Sequence, residues 1–334
     1  MPEWSIGAGG RAVRRAARDG SASLLRAGFL WASQRQRLAQ LAAHSALTRG
    51  TVRRFVAGET LAEALPVLGR LHGRGLATTV DVLGEAVTSV EAATAAADRY
   101  LEVLEALADS GLDRNISVKL TQLGLDLDPA VCRAQLMRIL ERAAALDAFV
   151  RVDMEDHRHT EATLALVRDA HATYPNVGVV LQAYLRRSAA DVAVLNRERI
   201  RVRLCKGAYD EPAEVAFPRK ADVDEHYRRL AETLLREGDY PALATHDELL
   251  IAWVRGFIER ERIDRSRFEF QMLYGVRRDL QERLATQGFT VRVYVPFGTE
   301  WYPYYMRRLA ERPANVLFMA RSVLREGRRP RASR

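Results

Sequence analysis

Lysine is nearly missing from this 334-residue chain. Lys119, Lys206 and Lys220 are the only three among 51 basic residues, and arginine supplies the rest. Arginine has therefore taken over the generic surface role. A lysine that remains marks a position where a compact ammonium suits better than a planar fork. Cysteine is scarce too. Cys132 and Cys205 have no paired spacing, which argues against a disulfide framework and for a reducing compartment, the cytoplasm. There is no run of about 18 apolar residues, so a transmembrane helix is not expected. The 48% hydrophobic and 28% charged shares are those of a globular protein able to bury a large core without staples.

The net charge of +8 is concentrated at the ends, in Arg11, Arg14, Arg15 and Arg18 and again in Arg321, Arg325, Arg328, Arg329, Arg331 and Arg334. Such ends suit nucleic acid or an anionic membrane surface. The plainer reading is a solvated tail in an arginine-rich chain. An Arg- and Ala-rich, acid-poor start resembles a transit peptide, but the whole chain shares the bias. Gly7-x-Gly9-x-x-Ala12 imitates a dinucleotide fingerprint. It lacks both a preceding strand and an acidic residue about 20 positions on, and it is set aside.

What the chain has in abundance is rhythm. Eight short β-prone runs recur at Ala77–Leu83, Ile116–Leu120, Phe149–Met154, Val177–Ala183, Arg201–Lys206, Pro241–His246, Phe268–Leu273 and Thr290–Pro296. A helical stretch follows nearly every one. The strands read as continuous apolar runs of a parallel sheet buried on both faces. Asp128-Pro129 predicts an N-cap with proline at the first helical position, Asp247 a second N-cap, and Ser188 with Asp191 a capping box. Gly111, Gly238 and Gly288 fall where helices end. A doubly wound sheet fits this alternation as well. Eight beats, with polar residues at nearly every strand end, favour a (β/α)8 barrel, in which strand C-termini carry the active site. The expected division is an N-terminal helical segment over 1–75, a barrel over 76–318 and a basic tail over 319–334.

Groups fit for chemistry stand at those ends: Asp81, Lys119, Asp153, Gln182, Arg203, Lys206, His246, Gln271 and Tyr294. The cluster from Asp153 through Glu155, Asp156, His157 and His159 admits a metal reading. One functional aspartate followed by a solvated loop is favoured, since no histidine pair has the i, i+4 spacing of a helical zinc site. Lys206 before Gly207-Ala208 suits either an ammonium beside an electron-rich cofactor or a Schiff-base lysine, as in a barrel aldolase. The last helical stretch, Trp301 to Glu311, is aromatic and charged where an outer-ring helix would carry an aliphatic stripe. On it Arg307 and Arg308 are suited to grip a carboxylate or phosphate, with Glu311 and Tyr304 within helical reach.

These residues resemble the flavin-dependent, monofunctional bacterial proline dehydrogenase family from about Phe55 to Asn315. The resemblance is carried by Phe55-Val56-Ala57-Gly58-Glu59-Thr60, Val118-Lys119-Leu120, Val152-Asp153-Met154-Glu155, Leu181-Gln182-Ala183-Tyr184, Val202 to Tyr209, Ala244-Thr245-His246-Asp247, Phe268 to Gly275 and Val293 to Gly298. The closing Tyr304-x-x-Arg307-Arg308-x-x-Glu311 is the most specific of them. Cys205 departs from the pattern, standing where an aliphatic residue is common.

The resemblance implies a TIM-type barrel with extra N-terminal helices and its last helix over the barrel top. It implies FAD held at the strand ends by Met154, Gln182, Lys206, Gly207, Ala208, Thr245, His246 and Gln271. Arg203 would lie at the flavin's reactive edge, and Asp153 in the catalytic constellation. Lys119, Arg307 and Arg308, the pair buttressed by Glu311, would hold the L-proline carboxylate. Leu273, Tyr294 and Tyr304 would enclose the ring, the bulky Tyr294 favouring proline over a hydroxylated ring. The implied reaction moves hydride from C5 to the flavin N5 and yields Δ1-pyrroline-5-carboxylate, the first step of proline catabolism. A quinone would accept the electrons and a separate pyrroline-5-carboxylate dehydrogenase would act downstream. No nucleic acid or metal takes part. The expected location is the cytoplasm, with the basic ends against the inner face of the membrane.

Overall fold

The computed structural model describes residues 52–84 and 86–311, with side chains up to Met306. The chain divides into two compact units, residues 57–299 and residues 1–56 with 300–334. The expected N-terminal helical segment up to residue 51, and the basic ends, lie outside the described residues.

The first unit is a closed barrel of eight parallel strands in sequence order. A helix, α1 (Leu61–His72), precedes β1 (Ala77–Val82). Then follow α2 (Val90–Asp109), β2 (Asn115–Val118), α3 (Pro129–Ala145), β3 (Phe149–Val152), α4 (His157–His171), β4 (Val177–Gln182) and α5 (Ser188–Arg197). The circuit continues with β5 (Arg201–Cys205), α6 (Lys220–Glu237), β6 (Ala242–Ala244), α7 (Glu248–Glu261), β7 (Glu269–Leu273), α8 (Arg278–Thr286) and β8 (Val291–Phe297). Strand β8 closes on β1 with Thr79 opposite Tyr294 and Asp81 opposite Pro296. The other unit contributes α9 (Trp301–Glu311), whose Trp301 ring meets Tyr302 and Tyr305 edge-on, and whose Tyr305 ring lies 6.3 Å from Phe55.

Helix starts follow local side-chain chemistry. Asp128 accepts from the Ala130 N–H ahead of α3, with Pro129 first in the helix, and Asp247 accepts from Leu249 ahead of α7. The expected capping box on α5 does not form. Ser188 Oγ instead donates to the Gln182 carbonyl at 2.7 Å, and Asp191 pairs with Arg187. Tertiary reach outcompetes the local bond there.

The strands correct a second expectation. The short β6 is wholly apolar and β4 is so up to Gln182; β2, β3, β5 and β8 alternate. Their outward residues, among them Ile116, Val118, Val150, Val152, Val202, Leu204, Val293 and Val295, are wholly buried in one hydrophobic core with the helices. The intervening residues are Ser117, Arg151, Arg203, Arg292 and Tyr294. Contacts between non-adjacent strands show where these point. Arg203 on β5 reaches Ser117 on β2, and Arg151 on β3 reaches the Arg201 carbonyl on β5 at 2.5 Å. Such contacts can run only through the barrel interior. Barrel interiors are commonly filled by branched aliphatic residues; this one holds charge.

Gly178 on β4 makes room for that charge. A Cβ there would meet the Arg201 carbonyl oxygen at 2.5 Å, Arg151 Nη1 at 2.7 Å and the Phe149 ring at 2.8 Å. Two of those obstacles are rigid, so Gly178→Ala is expected to lower stability by about 1–3 kcal/mol. A drop in thermal midpoint with unchanged far-UV dichroism is the measurement.

Candidate active site

Four strand ends converge on one carboxylate. Asp153, one residue past β3, is held in place by its N–H donating to the Val118 carbonyl. Its Oδ1 accepts from Arg203 Nη1 at 2.8 Å, and its Oδ2 from the Tyr294 hydroxyl at 2.7 Å. Lys119 Nζ lies 3.8 Å from the same Oδ2, 3.5 Å from the Tyr294 hydroxyl and 2.6 Å from Asp81 Oδ1. The Arg203 guanidinium sits 5.3 Å over the Tyr294 ring and donates to Ser117 Oγ at 2.9 Å. Ser117 Oγ lies 3.3 Å from Thr79 Oγ1. Thus β1, β2, β3, β5 and β8 all feed one hydrogen-bonded cluster at the C-terminal end of the barrel.

Its electrostatics follow from burial and neighbours. Burial alone would push Lys119 down, but Asp81 and Asp153 outweigh it and hold the ammonium protonated well above its ordinary range. Burial, reinforced by Asp153 and Asp81, pushes the Tyr294 phenol well up, so it stays a neutral donor. Burial also raises the Glu155 carboxyl, against hydrogen bonds from the Thr121 N–H and hydroxyl. Deeper in the barrel Arg292 pairs with Glu269 at 2.9 Å. Arg151 is pushed well below its usual range, first by burial and then by Arg203.

A second group of strand ends lies at β4 to β7. Lys206 Nζ pairs with Asp224 at 2.5 Å and Asp247 at 2.9 Å. His246 Nε2 accepts from the Leu273 N–H at 3.0 Å, which leaves the ring proton on Nδ1. The Thr245 N–H donates to the Gln271 carbonyl, and the Thr245 hydroxyl accepts from the Asp247 N–H. Gln182 donates to the Glu155 carbonyl at 3.2 Å, while Gln271 donates to Glu269. The Oε1 atoms of both glutamines are buried and lack a hydrogen-bond partner among the described residues. Gly207 adopts φ +114°, and any Cβ there would run into the Tyr184 ring. Ala208 beside it is exposed and Met154 is buried. Exposure at Ala208, orphaned buried acceptors and a lysine fit a polar planar group with a phosphate-bearing tail.

The sequence-expected residues sort as follows. Lys119, Asp153, Arg203 and Tyr294 form the first cluster. Gln182, Lys206, Gly207, Ala208, Thr245, His246, Gln271 and Leu273 line the adjoining strand ends and loops, with Met154 one residue past Asp153. Tyr304 stands on α9, and the side chains of Arg307, Arg308 and Glu311 lie outside the described residues. The acidic stretch after β3 is dispersed: Asp153 serves Arg203 and Tyr294, His157 meets Glu211, and His159 meets Asp156 and Asp126. Sequence reasoning left Ser117 and Asp81 without a role. Alternation from Asn115 to Lys119 puts Ser117 on the lysine's face, so that signal was available.

Lys119 suits charge, not imine chemistry, because a Schiff-base lysine needs a depressed pKa. Removing one partner of so buried a pair strands the other. Asp81→Ala is expected to cost about 3–5 kcal/mol, and Asp81→Leu with Lys119→Met to recover much of it. Urea unfolding of the single and double variants measures both.

A family model described as proline dehydrogenase matches residues 64–321. Proline dehydrogenase 1 of Bacillus subtilis (strain 168) is 42% identical over 303 residues, covering 91% of this chain and 100% of that protein. Proline dehydrogenase of Deinococcus radiodurans is 40% identical over 307 residues, covering 90% and 98%. Among solved structures, proline utilization A (PutA) from Bdellovibrio bacteriovorus, inactivated by N-propargylglycine, superposes with a TM-score of 0.75 at 29% identity. That match covers 79% of this chain but 33% of the larger PutA chain.

Proposed function

This chain belongs to the proline dehydrogenase family, and from that premise we propose that it oxidises L-proline to Δ1-pyrroline-5-carboxylate with FAD as cofactor. The observation that carries the reading is the cluster of Lys119, Asp153, Arg203 and Tyr294 at the barrel's C-terminal end. FAD supplies the two-electron acceptor for the hydride leaving proline C5. Met154, Gln182, Lys206, Gly207, Ala208, Thr245, His246 and Gln271 are the residues that would hold it. The orphaned Oε1 atoms of Gln182 and Gln271 support that assignment.

The chain's own part is positioning and charge. Lys119, kept protonated by Asp81, takes the proline carboxylate together with Arg307 and Arg308, and Glu311 steadies the pair. Three cations on one carboxylate fix the ring face and the C5–H bond against the cofactor. Leu273, Tyr294 and Tyr304 enclose the pyrrolidine ring. Tyr294 fills the space a ring hydroxyl would need. Arg203, tethered by Asp153 and Ser117, is a fixed positive charge that would favour the reduced form of FAD. The substrate amine reacts in its neutral form, since the nitrogen lone pair forms the C=N bond. A quinone is the proposed final acceptor and a separate pyrroline-5-carboxylate dehydrogenase the consumer of the product. The location we propose is the cytoplasm, with peripheral contact at the inner face of the membrane. No helix among the described residues is long and apolar enough to cross a membrane.

Purified protein is expected to be yellow, and anaerobic L-proline to bleach the flavin band. A colourless protein that takes up no FAD refutes the reading. Arg308→Lys is expected to raise the KM for proline at least about tenfold, equivalent to roughly 1.4 kcal/mol, with FAD still bound. Steady-state kinetics beside a flavin spectrum tests it, and an unchanged KM removes the arginine pair from the substrate site.

A further inference from the structure

The loop from β5 to α6, residues 206–219, opens with the Lys206-Gly207-Ala208 turn and is fastened along its length. The Tyr184 N–H donates to the Lys206 carbonyl at 2.8 Å, the Phe217 N–H to the Tyr184 carbonyl at 2.8 Å, and the Arg186 N–H to the Val215 carbonyl at 2.9 Å. Leu185 and Ala216 form an antiparallel bridge. The Tyr184 ring fills the space a Gly207 Cβ would occupy. All these contacts mould the loop onto the segment after β4.

One side chain ties it elsewhere. Glu211 stands mid-loop, yet its side chain is only 3% exposed. Its carboxylate accepts from the His157 N–H at 2.9 Å and the Tyr184 hydroxyl at 3.1 Å, and it meets the His157 ring Nδ1. His157 is the first residue of α4, where backbone N–H groups lack helical partners. Asp156 satisfies the next of them, from Arg158. Glu211 therefore does for α4 from another loop what a capping side chain does from its own, and the favourable end of the helix dipole adds to its hold. A buried carboxylate with three donors is costly to remove, because the donors are left unsatisfied. It also bridges the β5 loop to the segment four residues beyond Asp153.

We propose that Glu211 is a positioning residue for the cofactor turn: by clamping the β5–α6 loop to Tyr184 and the start of α4, it holds Gly207-Ala208 in the conformation that receives FAD. The inference rests on the FAD reading above. Glu211 makes no contact with the Lys119–Asp153–Arg203–Tyr294 cluster, so its loss acts on cofactor affinity before substrate binding. Loss of the clamp also frees the backbone after Lys206.

The test uses the full chain stripped of flavin and titrated with FAD by fluorescence quenching. Glu211→Ala is expected to raise the Kd for FAD at least about tenfold. Glu211→Gln, which still accepts from one or two donors, should fall between it and the wild type. The KM for L-proline at saturating FAD should stay as in the wild type, and trypsin should cut the apoprotein after Lys206 faster. A wild-type Kd in Glu211→Ala, or a proline KM that rises as far as the Kd does, overturns the proposal. If Glu211→Ala does not fold, Glu211→Gln decides by the same two readings. Wild-type protein that takes up no FAD overturns both this inference and the reading beneath it; normal wild-type uptake with an unchanged variant overturns the clamp alone.

Discussion

Asp153 receives Arg203 from β5 and Tyr294 from β8, on opposite sides of a carboxylate that leaves β3. Three strands well separated around the barrel are fixed relative to one another by that one group. Lys119 then has a single place to stand, between Asp81 and the Asp153–Tyr294 bond. The cluster's geometry is thus overdetermined, with Asp153, Arg203 and Lys119 each held by at least two partners. That is the condition under which polar groups keep their positions before a ligand arrives.

Such an interior is not the most stable one available. Buried ion pairs offset their desolvation only when geometry is excellent, and apolar replacements often do as well. Arg151 makes the point: it is buried, repelled by Arg203, and satisfied chiefly by the carbonyls of Val179 and Arg201. The stability that tolerates this comes from the other face of each strand. There a continuous aliphatic layer packs against the helices, and burial of apolar surface is the dominant favourable term. One strand set serves both ends because its side chains alternate.

The three lysines divide along the same lines. Lys119 works inside the barrel, kept charged by carboxylates. Lys206 stands past β5, between Asp224 and Asp247, ahead of the Gly207-Ala208 turn. Lys220 opens α6 and pairs with Asp224 on the surface. Two of the three stand one residue past a strand, as the sequence led one to expect. The side chains of the Arg307–Arg308 pair lie outside the described residues.

The eight β/α beats, the caps at Asp128 and Asp247 and the polar strand ends were legible in the sequence, because period, capping chemistry and chain order are local properties. Even the charged interior was written in the alternation of Asn115 to Lys119 and of Arg201 to Cys205, although the expectation of continuous apolar strands passed over it. What the sequence could not decide was partnership. That Asp153 binds Arg203 and Tyr294 rather than the neighbouring histidines depends on barrel closure, which brings β3, β5 and β8 face to face. The failure of the Ser188–Asp191 capping box has the same origin, since Ser188 found the Gln182 carbonyl closer at hand. Glu211 is the extreme case: in sequence it is one acid among many in a loop, and only the packed loops bury it between Tyr184 and His157. Local rules placed the residues along the chain, and closure of the sheet chose which of them meet.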